Sequence, residues 1–334
     1  MQKLFNSILR FFVRIALKTY FSRIEVYGQD NIPKNKAVIL VGNHQNALID
    51  PILLATHTNL KPYFLTRASV FKKSTVAKML RFIRMIPVYR VRDGIANMEK
   101  NKETFDQCVK VLTDSGSVII FGEGNHHHHR NLRPIRKGFA RIAFQALEEN
   151  PELDLVVLPV GINYANPHRS GSKVSIRFGP ALTPKSYYPH HDAIVKAVQT
   201  SLLPLVSHIP EDGYEERLGQ LISQKTDLTD PQAVAASLNQ SIQPNPQDYT
   251  PPYFTNKVMK IFHFPIYLLW LNMAPKVKDP AFIATWKFIF GLVGVPIWYL
   301  LLLFVLPKLG FGTWAFSWSI LGLIYLFANR TGQG

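Results

Sequence analysis

Cys108 is the single cysteine among 334 residues, so the chain has neither an intrachain disulfide framework nor the thiolates of a Cys-rich zinc module. Acidic residues are scarce: 22 Asp+Glu stand against 38 Lys+Arg, a formal net charge of +16. Charge of both signs together reaches only 18%, beside 47% hydrophobic residues, a balance that excludes a disordered polyelectrolyte. There is no internal repeat, and no HExxH helix of the kind that carries catalytic zinc. No nucleic-acid-binding module accompanies the basic excess, so nucleic acid is not expected as a partner.

What the chain does have is long apolar runs, gathered near its end. Ala281 to Leu306 carries one charge, Lys287, and Leu309 to Ala328 carries none. Each run suffices to cross a hydrocarbon core of roughly 30 Å at about 1.5 Å per residue. With Pro307-Lys308 as the turn, they predict a hairpin of two transmembrane helices. Ile261 to Met273 is too short to span and contains Pro265, and reads as an interfacial or re-entrant segment. At the other end, Arg10, Arg14 and Lys18 recur at i, i+4, i+8 beside Leu4, Phe5, Ile8, Phe11, Phe12 and Ile15. That is the pattern of a helix lying among lipid headgroups. Lys61 to Arg92 is rich in Lys and Arg without one acid, a patch suited to anionic lipid or phosphate. Lys257, Lys260, Lys276 and Lys278 ahead of the hairpin predict an integral membrane protein whose main domain is cytoplasmic.

Between these ends short apolar strands alternate with helical patterns. Strands are predicted at 37–42, 62–66, 86–91, 117–121, 154–163 and 174–178, and helices at 51–57, 74–84, 97–115 and 138–149. Such alternation predicts an α/β domain with a mixed, mostly parallel sheet flanked by helices. The chain then divides into a membrane-associating amphipathic helix (1–25), the α/β domain (26–210), a polar, partly helical connector (211–255) and the membrane region (256–334).

Two loops after strands carry chemistry. Asn43-His44 precedes Asp50-Pro51 at the carboxyl end of the first strand, where open α/β sheets place their ligands. A histidine with a carboxylate forms a base and its orienter: the acid accepts from one ring nitrogen and leaves the other free to take a proton. On a continuous helix a six-residue separation turns the two side chains about 240° apart. The pairing therefore requires His44 to precede the helix and Asp50 to lie in its first turns. The second loop, Phe121-Gly122-Glu123-Gly124-Asn125, leads into His126 to His129 and then Arg130, Arg133, Arg136 and Lys137. Glycines beside an acid admit close backbone approach, and the basic residues suit phosphate. Adjacent histidines point in different directions, and neither Cys nor HExxH accompanies them, so no metal site is expected there.

With these motifs the chain resembles the glycerolipid acyltransferase superfamily of glycerol-3-phosphate and 1-acylglycerol-3-phosphate acyltransferases. Asn43-His44 and Asp50 match that family's first motif with one extra residue between them, and His44, Asn46, Asp50 and Pro51 fit a form found in yeast-type glycerol-3-phosphate acyltransferases. Pro87-Val88-Tyr89-Arg90 corresponds to the second motif and Val156 to Val160 to the fourth. Phe121 to Asn125 stands for the third, with Gly122 in place of Pro and Asn125-His126 in place of Thr-Arg. The resemblance covers roughly residues 30–180 and implies the glycerolipid acyltransferase fold, with 26–210 as the acyltransferase domain. It implies a membrane-bound enzyme of phospholipid synthesis that moves a fatty acyl group from acyl-coenzyme A or acyl carrier protein to glycerol-3-phosphate or 1-acylglycerol-3-phosphate. No cofactor is implied beyond that co-substrate, and membrane phospholipids are the expected surroundings. His44 and Asp50 are then the expected catalytic pair, acting without an acyl-enzyme. Asn43, Arg90, Arg92, Glu123, Gly124, Arg130, Arg133 and Lys137 are the expected substrate-binding residues, with Arg130 or Arg133 standing in for the motif arginine. Other readings of the same residues are an acyltransferase for another hydroxylated or amino lipid, a membrane-bound metal-dependent hydrolase, and a non-catalytic lipid-binding protein.

Overall fold

A computed structural model describes residues 2–89, 99–239 and 253–328. Its strands are β1 (Arg23–Tyr27), β2 (Ala37–Gly42), β3 (Tyr63–Arg67), β4 (Met85–Val88), β5 (Ser117–Phe121), β6 (Leu155–Tyr164) and β7 (Lys173–Phe178). They form one seven-stranded sheet in the order β1-β7-β6-β2-β5-β3-β4. Among the described residues every pairing is parallel except β6 with β7, as the alternating pattern predicts. β1 lies outside the predicted strands: RIEVY alternates Ile24 and Val26 with Arg23 and Glu25, but over only five residues, and pairing with β7, far along the chain, is what makes it a strand.

Side chains alternate across the pleat and build two cores. Ala37, Ile39 and Val41 of β2 face one layer, and Val38 and Leu40 face the other. The first layer contains α4 (Lys100–Thr113), α5 (Gly138–Glu149) and α6 (His191–Leu202). The second contains α1 (Gln2–Tyr20) and α2 (Ile49–His57), joined by Ala284 and Phe288 from the C-terminal region. α3 (Ser74–Phe82) connects β3 to β4 at the edge. Both faces of the central strands are covered, which is why β2 and β6 read as nearly unbroken apolar runs.

The connector is less detached than its composition suggests. α7 (Tyr214–Ser223) and α8 (Pro231–Asn239) share a small core of Ile209, Tyr214, Leu221 and Val234. Lys173–Asp227 at 2.7 Å and Arg177–Asp230 at 3.1 Å pin this segment to β7.

α9 (Tyr253–Phe262) and α10 (Phe264–Met273) follow, with Pro265 in the first turn of α10, where a missing N–H costs nothing. α11 (Pro280–Leu309) is, by length and composition, long and apolar enough to cross a membrane. α12 (Gly312–Ala328), at 17 residues, is shorter. The reversal between them lies at Gly310, with φ +88°, and not at Pro307-Lys308. Proline fits the opening turn of the segment Leu306–Leu309, and glycine takes the left-handed position that ends it.

α1 has its amphipathicity turned outward. Gln2 Nε2 and Asn6 Nδ2 donate to Phe82 O at 2.9 and 3.1 Å, and Arg10 donates to Leu60 O at 2.8 Å and to Thr58 O. The start of the polar stripe thus faces the protein, whereas Leu4, Phe5, Ile8, Phe11, Phe12 and Ile15 are exposed.

Candidate active site

The His44 loop leaves β2 and wraps around one carboxylate. α2 begins only at Ile49, so His44 lies before the helix and Asp50 in its first turn, and the two side chains meet. His44 Nδ1–H donates to Asp50 Oδ2 at 2.8 Å. The Gln45 and Asn46 backbone N–H groups reach the same oxygen at 2.8 Å each, and the Tyr164 hydroxyl donates to Oδ1. Asp50 is fully buried, and these donors replace the water it lost. The His44 ring lies flat on Phe121, centroids 3.9 Å apart at 8°. With Nδ1 engaged and the ring clamped, Nε2 is the nitrogen left to take a proton.

Asn43 has a different task. Its Nδ2 donates to Ile162 O at 3.0 Å and its Oδ1 accepts from Ile162 N at 2.8 Å. It ties the exit of β2 to β6 in the manner of one more ladder pair, and so fixes the base of the His44 loop.

Glu123 is buried beside this pair. Arg133 Nε donates to its Oε2 at 2.8 Å, and Arg133 Nη1 donates to Asn125 Oδ1 at 2.8 Å. Burial pushes the Glu123 carboxyl up to about 7; the Arg133 charge and hydrogen bond oppose this, and Asp50 adds to it. Gly124 adopts φ +79°, and a Cβ there would stand 3.0 Å from Cδ of Arg136. That left-handed turn exposes the loop to the Arg136 guanidinium.

The basic residues separate into distinct roles. Arg130 is buried, its Nη2 donating to Ala165 O at 2.7 Å and its Nη1 to Tyr164 O. Burial lowers its guanidinium to about 10. Arg130 is therefore a strut across the end of β6 and does not replace the motif arginine at an open site. Lys137 pairs with Asp192 of α6 at 2.7 Å, near the solvent. Arg136 and Arg67 have no acidic ion-pair partner within 4 Å among the described residues. Arg136 belongs to the same basic run as Arg130 and Arg133, and nothing in the local sequence separates the three. Arg90 and Arg92 lie outside the described residues.

The histidine tract splays as four adjacent residues must. His126 Nε2–H donates to Asp279 Oδ2 at 2.6 Å, and its ring stands edge-on to His44 at 5.8 Å. His127 N–H donates to His44 O at 3.0 Å, and His128 is exposed. His129 stacks on Tyr214 at 4.0 Å and pairs with Glu211 at 3.0 Å. Among the described residues no group of three His, Cys, Asp or Glu is arranged to hold a metal ion. Cys108 is buried in the first core, where burial pushes its thiol up to about 12.

Comparison with known proteins adds to this geometry. Residues 23–163 match the family model described as Acyltransferase. Over 75 residues the chain is 33% identical to glycerol-3-phosphate O-acyltransferase 1 of Saccharomyces cerevisiae, covering 22% of this chain and 10% of that protein. Over 212 residues it is 25% identical to 1-acyl-sn-glycerol-3-phosphate acyltransferase alpha of Mus musculus, covering 62% of this chain and 72% of that one. The crystal structure of the 1-acyl-sn-glycerophosphate acyltransferase PlsC from Thermotoga maritima aligns over 64% of this chain and 80% of its own, at 21% identity and a TM-score of 0.48. The chain spans less than a third of the fungal relatives it matches.

Proposed function

We propose, from the match of residues 23–163 to the Acyltransferase family model and the likeness to a 1-acyl-sn-glycerol-3-phosphate acyltransferase, that this protein is a membrane-bound O-acyltransferase of phospholipid synthesis in the glycerolipid acyltransferase superfamily. It moves a fatty acyl group from acyl-coenzyme A or acyl carrier protein to the hydroxyl of glycerol-3-phosphate or 1-acylglycerol-3-phosphate. The observation that carries this reading is the His44 Nδ1–Asp50 bond at 2.8 Å, at the carboxyl end of the sheet, with Nε2 left to take a proton.

The acceptor hydroxyl gives its proton to His44 Nε2 as its oxygen attacks the thioester carbonyl. A C–O bond forms, the tetrahedral intermediate collapses, the C–S bond breaks, and the imidazolium returns the proton to the leaving thiolate. Asp50 holds the ring and offsets the charge it gains. General-base assistance of this kind is worth roughly 100- to 10,000-fold. The transfer is direct, since the buried Cys108 thiol is no nucleophile for it.

Arg136, exposed over Gly124, and Arg67 at the end of β3 are the cations for the acceptor phosphate, with the charge-assisted bonds that phosphate favours. Glu123 holds Arg133 and shapes the acceptor side. The outward apolar face of α1, the exposed Phe264, Leu268 and Leu269 of α10, and the exposed Ile297, Leu300 and Phe304 of α11 support membrane residence. The basic residues before α11 favour a cytoplasmic catalytic domain.

The test is labelled acyl transfer by detergent-purified protein, with both acceptors under both donors and His44→Ala alongside. Product from one acceptor, lost in the variant, is expected. A folded His44→Ala protein with normal turnover would remove His44 from the mechanism.

A further inference from the structure

Asp50 accepts three of its hydrogen bonds from the loop that carries the first motif, and all three go to Oδ2. The fourth comes from elsewhere. Tyr164, the last residue of β6, donates its hydroxyl to Oδ1. It lies beyond the Val156–Val160 motif, and nothing in its local sequence marks it.

Its position is tightly held. The side chain is fully buried, its ring packs against Phe21 at 6.0 Å between centroids, and Arg130 holds its backbone carbonyl. Its backbone pairs with Val174 of β7 in the antiparallel ladder. Burial and the Asp50 charge keep the phenol protonated, well above its ordinary range, so it acts as a donor.

We propose that Tyr164 is a positioning residue for acyl transfer, its hydroxyl fixing Asp50 and setting how strongly His44 holds a proton. The inference rests on the proposed role of His44. A carboxylate that accepts a further hydrogen bond on one oxygen is a weaker acceptor on the other. With the phenol in place, Asp50 orients the imidazole but grips the imidazolium less firmly. Removing the hydroxyl strengthens that grip, and neutral His44, the form that takes the acceptor proton, then requires a higher pH.

The surroundings are defined. His44 is faced by Asp50 from α2, by Glu123 after β5, and by His126, which is itself held by Asp279 ahead of α11. His127 contributes its backbone N–H. Arg133 acts on the site through Glu123. Tyr164 is faced by Asp50, by Asn46, and by Tyr20 from α1. Tyr164→Phe alters none of these groups.

The experiment compares the full-length protein with its Tyr164→Phe variant in detergent. The His44 ring-carbon resonance, identified by its loss in His44→Gln, is titrated by NMR, and kcat/KM is followed against pH. The expected result is that the titration midpoint and the acid limb move up together by about half to one unit, with turnover recovering toward the parent's at high pH. A Tyr164→Phe protein whose midpoint matches the parent's would overturn the proposal, whatever its turnover, because a packing role lowers stability without moving that midpoint. Should Tyr164→Phe fail to fold, 3-fluorotyrosine at the same position keeps the ring and makes the hydroxyl a stronger donor. Its midpoint is expected below the parent's, and an unchanged or raised one would equally overturn the proposal. The titration needs no acyl transfer, so a parent protein without transfer activity counts against the proposed function alone.

Discussion

His126 Nε2–H donates to Asp279 Oδ2 at 2.6 Å, tying the residue that closes the third motif to the residue just ahead of α11. Further bonds make the same joint: Ala47 N–H to Ala281 O at 3.2 Å and Leu48 N–H to the Thr285 hydroxyl at 3.3 Å. Burial works against the Asp279 carboxylate, but His126, the Ala281 amide and the Arg67 charge together hold it below the ordinary range. The start of the apolar helix is therefore part of the wall of the candidate site, beside the histidine whose ring edge meets His44.

Asp279→Asn tests that joint. The amide keeps an oxygen for the Ala281 N–H but loses the charge that holds His126. Turnover is expected to fall roughly tenfold through misplacement near His44, while the carbonate-resistant membrane fraction stays unchanged. Equal turnover in the two proteins would show that His126 needs no such hold.

The arginines of the basic run are predicted to part company on substitution. Arg136→Ala should raise KM for the phosphorylated acceptor about tenfold or more, through loss of a charge-assisted contact, and leave the melting temperature near the parent's. Arg130→Ala should instead lower stability by about 3 kcal/mol, because it leaves the buried Tyr164 carbonyl and the part-buried Ala165 carbonyl without this donor. Steady-state kinetics and thermal melts on the two variants separate these outcomes.

Glu123 predicts a pH dependence of stability. Its folded-state value near 7 is raised above the ordinary carboxylate range by burial, so the folded chain binds that proton more tightly than the unfolded chain does. The stabilisation is complete below the unfolded value and is lost as pH rises toward 7. Melting temperatures of the parent and Glu123→Gln, taken between pH 5 and pH 8, should therefore diverge in favour of the variant as pH rises. The gap should approach the order of 3 kcal/mol. A pH-independent difference would mean that Arg133 keeps the carboxylate ionised throughout.

The outward face of α1 makes a third kind of prediction. Phe11→Asp with Phe12→Asp places two charges where both rings are exposed, at a cost to bilayer insertion of several kcal/mol. The doubly substituted protein should retain its fold by circular dichroism. In the full-length protein reconstituted into anionic vesicles, α1 carrying both changes should lose the protection from proteolysis that lipid gives the parent's α1.

Much of this architecture was legible along the chain. Apolar runs such as Ala37–Gly42 and Ser117–Phe121 announce buried strands because both of their faces are covered. The separation of His44 from Asp50 was enough to require a loop before the helix, and α2 begins where that requirement places it. β1 and α6 lie outside the predicted elements: β1 alternates over only five residues and is completed by its pairing with β7, and α6 follows the last motif and carries none of the residues with chemistry.

By itself the sequence determined the alternation of strands and helices, the order of the motifs, and the concentration of apolar residues at the two ends. These are properties of neighbours, written in periods of two and of about 3.6 residues. Tertiary structure alone decided which guanidinium is a strut and which stands open, that the polar stripe of α1 turns inward at Arg10, and that Asp50 answers to Tyr164, 114 residues away. Arginines in one basic run are chemically identical until the fold removes water from some of them and not from others. Which donors a buried carboxylate finds depends on which distant strands pair beside it.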